Sequence, residues 1–194
     1  MKGYYILRKR ILDILHTKLP QDLYYHGVHH TIGALKTCDL YLRHIKINKH
    51  QSQLLRLGIL LHDIGFTKSA ENHELKGIEI ANSLLSEFNI SKKDIDIINQ
   101  LILSTKVPQQ PNTLLERIIC DIDLDYLGRD DYYEISDQLF RELQVYSGLE
   151  DRNEWNKLQV KFLESHRYHT DFAIKNRQPQ KELRIQELKA LINT

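Results

Sequence analysis

The chain has 194 residues, with 27 Lys+Arg set against 26 Asp+Glu for a formal net charge of +1. With 41% hydrophobic and 27% charged residues it can bury a core of its own, which excludes wholesale disorder. The balanced charge argues against general nucleic-acid binding, and two cysteines (Cys38 and Cys120) exclude a disulfide scaffold or a four-cysteine zinc site and suit a reducing, cytoplasmic setting.

No stretch approaches the ~20 consecutive apolar residues of a membrane span. Charges interrupt the N-terminal MKGYYILRKRILDIL, so an amphipathic first helix is expected there rather than a signal peptide. Helical spacing dominates and strand-like alternation is hard to find, so an all-α fold of about eight or nine helices is predicted. Without a linker, repeat or low-complexity tract, residues 1–194 are read as one domain. The first helix covers 3–18 and stops before Pro20; the second covers about 28–46. A third, about 50–63, carries Leu54, Leu55, Leu57, Ile59, Leu60 and Leu61 and ends at His62-Asp63-Ile64-Gly65, where the glycine reads as a helix stop. Beyond a loop at 66–71, Leu75, Ile78, Ala81 and Leu85 mark the next helix. Ser91-Lys-Lys-Asp94 and Thr113-Leu-Leu-Glu116 are helix starts, and the two prolines of Val107–Pro111 make the segment between them a loop. The last helices are expected at 131–146, 150–177 and 180–192, with Pro179 between the final pair.

Histidine is the compositional outlier: ten in all, with His26, His29 and His30 crowded together. His62-Asp63 ends a strongly apolar helix, so both ionisable groups lie beside the core, where an unpaired charge is costly. Imidazole and carboxylate together ligate divalent metals well, and adjacent side chains can converge where a helix ends. His26 and His30, four apart, would share a helix face, whereas His29 would turn away to the surface. Ile119-Cys-Asp121-Ile-Asp123-Leu-Asp125 alternates carboxylates with apolar residues inside a helical pattern. On a wheel of residues 114–127, Asp121 and Asp123 flank the apolar stripe of Leu115, Ile118, Ile122 and Tyr126 on either side, so periodicity does not choose between them.

The strings YYHGVHHT (24–31), LLHDIGF (60–66) and ICDIDLDYLGR (119–129) set an isolated His, a His-Asp doublet and a distal Asp in order. They resemble the HD superfamily of metal-dependent phosphohydrolases over about residues 24–130. The resemblance implies an all-helical bundle with the metal between helices, elaborated by residues 131–194. It carries the metal-ligand role to His30, His62, Asp63 and Asp123, with Asp121 in reserve because only the family's Asp-x-Asp habit favours Asp123. Asp125 is then a candidate to orient a ligand imidazole. Nitrogen and oxygen ligation without thiolate suits one divalent ion: Mn, Fe, Co, Ni, Mg or Zn.

The implied activity is hydrolysis of a phosphoester, of a nucleotide or related small molecule, by a metal-activated water, with Asp63 accepting the water's proton. His26 resembles the histidine with which some phosphodiesterases of the superfamily protonate the leaving alkoxide. His73 follows the doublet by a short loop and is a candidate to face the same cleft, on phosphate or a second metal. Lys68, Lys106 and Arg129 are candidate phosphate-binding cations; many relatives carry a lysine where this chain has Phe66. The polar segment Glu164–His169 is expected to form an interhelical network. Two other readings are a silent nucleotide-binding regulatory domain and a di-iron oxygenase. The complete ligand set argues against the first; the absence of histidine from 74–120 argues against the second. The expected partner is a small phosphoester, with no membrane, and an exposed helical face would suit a homodimer.

Overall fold

The computed structural model describes residues 3–192. Among them are ten α-helices, two short 3-10 turns and no strand: α1 (Tyr4–Lys18), α2 (Val28–His44), α3 (Lys49–Leu61), a 3-10 turn (Ile64–Thr67), α4 (His73–Glu87), α5 (Lys92–Ser104), α6 (Leu114–Asp123), a second 3-10 turn (Asp125–Gly128), α7 (Tyr132–Ser147), α8 (Arg152–Ser165), α9 (Asp171–Asn176) and α10 (Gln178–Ile192). The all-α fold expected from periodicity is the fold observed. No helix among the described residues is long and apolar enough to cross a membrane. The chain forms two compact units, the first ending at Asp123 and the second starting at Leu124.

The first unit is built around α3. Leu54, Leu55, Leu57, Ile59, Leu60 and Leu61 are all buried, so the last turns of α3 are apolar on every side. Such a helix needs cover all round, and α1, α2, α5 and α6 supply it. Each leucine so buried contributes about 1.5–3 kcal/mol relative to exposure. Its start is fixed by a capping box: Asn48 Oδ1 accepts from the Gln51 backbone N–H at 2.9 Å and Gln51 Oε1 accepts from the Asn48 N–H at 3.0 Å. The Ser91 hydroxyl caps α5, accepting from the Asp94 N–H at 3.2 Å. Before α6, Thr113 Oγ1 accepts from the Glu116 N–H at 3.3 Å and Glu116 Oε2 accepts from the Asn112 N–H at 2.7 Å. Both segments singled out as helix starts begin helices.

In the second unit α8 and α10 pack together. Two expectations are corrected here. The single helix expected over 150–177 is two helices, because His166 is extended (φ −71°, ψ 140°) and the Thr170 hydroxyl starts α9 by accepting from the Ala173 N–H at 3.3 Å. Pro179 does not separate helices but occupies the first turn of α10, where its missing N–H costs nothing. Within the segment 164–169, His166 and Tyr168 are buried against Lys181, whose ammonium donates to the His166 carbonyl at 2.5 Å and lies 5.7 Å from the Tyr168 ring centroid. Burial lowers the Lys181 pKa.

Candidate metal centre

Three helix ends bring the polar side chains of the first unit together. His62 follows the last residue of α3 in helical geometry, and Asp63 then turns to φ −102°, ψ 5° to open the 3-10 turn. This change of helix type lets two adjacent side chains face one point. His30 lies in the first turn of α2, and Asp123 is the last residue of α6. The wheel drawn through 114–127 fails because the α-helix ends at Asp123.

Four atoms converge. His30 Nε2 lies 3.1 Å from His62 Nε2, 3.2 Å from Asp123 Oδ1 and 3.5 Å from Asp63 Oδ2. His62 Nε2 lies 3.1 Å from Asp63 Oδ2 and 3.4 Å from Asp123 Oδ1. Adjacent ligands of an octahedral ion with bonds of about 2.1 Å stand about 3 Å apart, so these spacings fit one small divalent cation. His62 Nδ1–H donates to the Ile59 carbonyl at 2.8 Å, which fixes the ring and leaves the Nε2 lone pair facing the cluster. Asp63 Oδ2 is buried and accepts no hydrogen bond, an orphan that a cation would satisfy.

The electrostatics agree. Burial works against a charged His62, yet the negative charges of Asp63 and Asp123 beside it outweigh burial and raise its pKa well above 6.5. Asp63 is likewise opposed by burial but is held below the usual carboxylate range by His62. Asp123 falls to about 2, because hydrogen bonds from His30 and His62 outweigh its burial. Both carboxylates are therefore ionised at neutral pH. Burial pushes the Cys38 and Cys120 thiols up to about 12, so neither offers a thiolate.

The remaining candidates divide. His26 precedes the N-cap Gly27 and is outside α2, so it does not share a helix face with His30; their ring centroids are nevertheless 6.3 Å apart. His73 opens α4, and its Nε2 lies 3.7 Å from Asp63 Oδ1 and 3.7 Å from Glu74 Oε1. His29 is exposed. Asp121 is fully buried, with its backbone carbonyl accepting from the Tyr41 hydroxyl at 3.4 Å, and the group of close ligand atoms takes Asp123 instead. Asp125 is engaged by Arg177 Nε at 2.7 Å and Arg129 Nη1 at 3.8 Å, and the His62 ring is oriented by the Ile59 carbonyl. Arg129 is also paired with Asp131, so its charge is already matched. Lys68 and Lys106 are exposed.

Gly65 is not a left-handed helix stop. It is required because a Cβ there would lie 1.8 Å from the His73 carbonyl oxygen and 2.8 Å from the Gly77 nitrogen, so the start of α4 rests on the turn. Sequence reasoning also missed the aromatic collar of Tyr25 and Phe66 beside His26, and the buried Glu74.

The family model of the HD domain matches residues 27–125, just over half the chain, and that span contains all four converging side chains. The chain belongs to the HD superfamily of metal-dependent phosphohydrolases. Neither curated proteins nor solved structures gave a match. This HD domain has its His-Asp doublet at the end of α3, as the apolar run over 50–63 predicted, and carries a candidate His/His/Asp metal group.

Proposed function

We propose that the protein is a metal-dependent hydrolase of a phosphoester, of a nucleotide or related small molecule. The observation that carries this reading is the convergence of His30 Nε2, His62 Nε2, Asp63 Oδ2 and Asp123 Oδ1 at 3.1–3.5 Å around one point. These four residues would hold one divalent ion. Bound there, such an ion supplies a Lewis acid that lowers the pKa of water from 15.7 towards ~7 and offsets phosphoryl charge.

The chain's own groups do the rest. Asp63 divides its oxygens, Oδ2 towards the imidazoles and Oδ1 towards His73 Nε2 at 3.7 Å. It accepts the proton of the attacking water at Oδ1, from which His73 passes it to solvent or holds a phosphate oxygen. His26 supplies a proton to the leaving alkoxide. Lys68 and Lys106 are the cations for the phosphate dianion, because the Arg129 charge is matched by Asp131 and Asp125.

Metal analysis of the purified protein, followed by a screen of mono-, cyclic and triphosphorylated nucleotides with Mn or Mg, tests the reading. Turnover is expected, and its loss in folded His62→Ala and Asp63→Ala variants. Nucleotide binding with no turnover across the set would make the chain a regulator.

A further inference from the structure

Phe66 packs against both candidate acid–base histidines. Its ring centroid lies 4.2 Å from that of His26 at an interplanar angle of 21°, and 4.2 Å from that of His73 at 29°. The ring is only 6% exposed, so it offers no face to a substrate. It sits three residues after Asp63 in the same 3-10 turn, whose Phe66 N–H donates to the Asp63 carbonyl at 3.0 Å. The ring is thus rigidly linked to the proposed base.

Each histidine carries further restraints. His73 Nδ1 donates to the Ala70 carbonyl at 3.2 Å, leaving Nε2 towards Asp63, and Gly65 lets its backbone approach the turn. The Tyr25 ring meets His26 edge-on at 4.6 Å, and lies 4.9 Å from His30. A half-buried imidazole with an open face would rotate about its side-chain torsions; a flat ring against that face removes this freedom.

We propose that Phe66 is a positioning residue that holds the His26 and His73 imidazoles in orientation beside the cluster of His30, His62, Asp63 and Asp123. This inference rests on the hydrolase reading for its kinetic consequence, but not for the stacking itself. A leucine would fill the volume without a flat face; a tyrosine would keep the face.

The test compares Phe66→Leu and Phe66→Tyr with the parent chain in Mg²⁺ buffer. The first readout is the imidazole proton resonances of His26 and His73 by NMR, assigned with His26→Gln and His73→Gln. The parent should show both displaced upfield by the ring current, Phe66→Leu should shift both back together, and Phe66→Tyr should retain them. The second is p-nitrophenyl phosphate hydrolysis with the metal content measured. Phe66→Leu should lose roughly 10–100-fold in kcat with KM and metal content kept, and Phe66→Tyr should recover most of it. Histidine resonances unmoved in Phe66→Leu, or a kcat within twofold of the parent, would overturn the proposal. A parent chain that turns over no phosphoester sinks the hydrolase reading, while the resonances alone still decide the stacking.

Discussion

His30 Nε2 and His62 Nε2 stand 3.1 Å apart with a carboxylate oxygen of Asp63 or Asp123 within 3.5 Å of each. Either a proton or a cation must sit among these four atoms, and the two compete. The His62 pKa is raised above 6.5 by Asp63 and Asp123 in spite of burial, so the proton is retained to a higher pH than in a free imidazole. A ligand must shed that proton to bind metal. Metal affinity is therefore weakest at acidic pH and climbs as pH rises through and above 6.5, by up to about tenfold per pH unit for one proton released. Calorimetric Mn²⁺ titrations in two buffers of unlike ionisation heat should show proton release on binding. An affinity flat between pH 6 and 8 would contradict this.

Two substitutions distinguish Asp121 from Asp123. Asp123→Asn should weaken metal binding about 10–100-fold, since an amide in its place loses the anionic ligand. Asp121→Asn, at a fully buried residue outside the His30–His62–Asp123 group, should leave the metal affinity within a few-fold and act on stability. Mn²⁺ titration and urea unfolding of both variants make the comparison.

Gly65→Ala should cost about 3 kcal/mol or more, because the new methyl collides with rigid backbone of α4 at 1.8 Å and no side chain can move aside. Chemical denaturation measures it. The His73 imidazole resonance should shift in the same variant, since α4 begins at that residue.

Asp125 is 2% exposed and takes Arg177 Nε at 2.7 Å. Arg177→Ala removes the 2.7 Å partner of a buried carboxylate and leaves Arg129 at 3.8 Å from it. Breaking a buried pair from one side costs about 3–5 kcal/mol, so a loss of about 3 kcal/mol is expected in urea unfolding of the second unit.

The helices were legible because apolar spacing and caps are local: Ser91 and Thr113 start α5 and α6 as their side chains dictate. The candidate His/His/Asp group was legible in part, since LLHDIGF carries both the resemblance and the core burial that places His62. What lay beyond reach depends on contacts distant in sequence. Gly65 looked like a helix stop, but its neighbour is the His73 backbone, invisible until α4 folds onto the turn. That Asp123 stands with His30 and His62 in the candidate group was not legible, because the helix ends at Asp123, a break that no proline or glycine marks. Pro179 and the His166–Thr170 break misled because a proline in a first turn and a threonine cap read alike as boundaries. Phe66 registered only as a missing lysine; its stacking partners lie 40 residues before it and seven after it.

The most direct test is diffraction from Mn²⁺-soaked crystals at the manganese edge. One anomalous peak is predicted, about 2.1–2.3 Å from His30 Nε2, His62 Nε2 and the nearest oxygens of Asp63 and Asp123. Full soaking with no peak there, or a peak bound by other residues, would contradict the account.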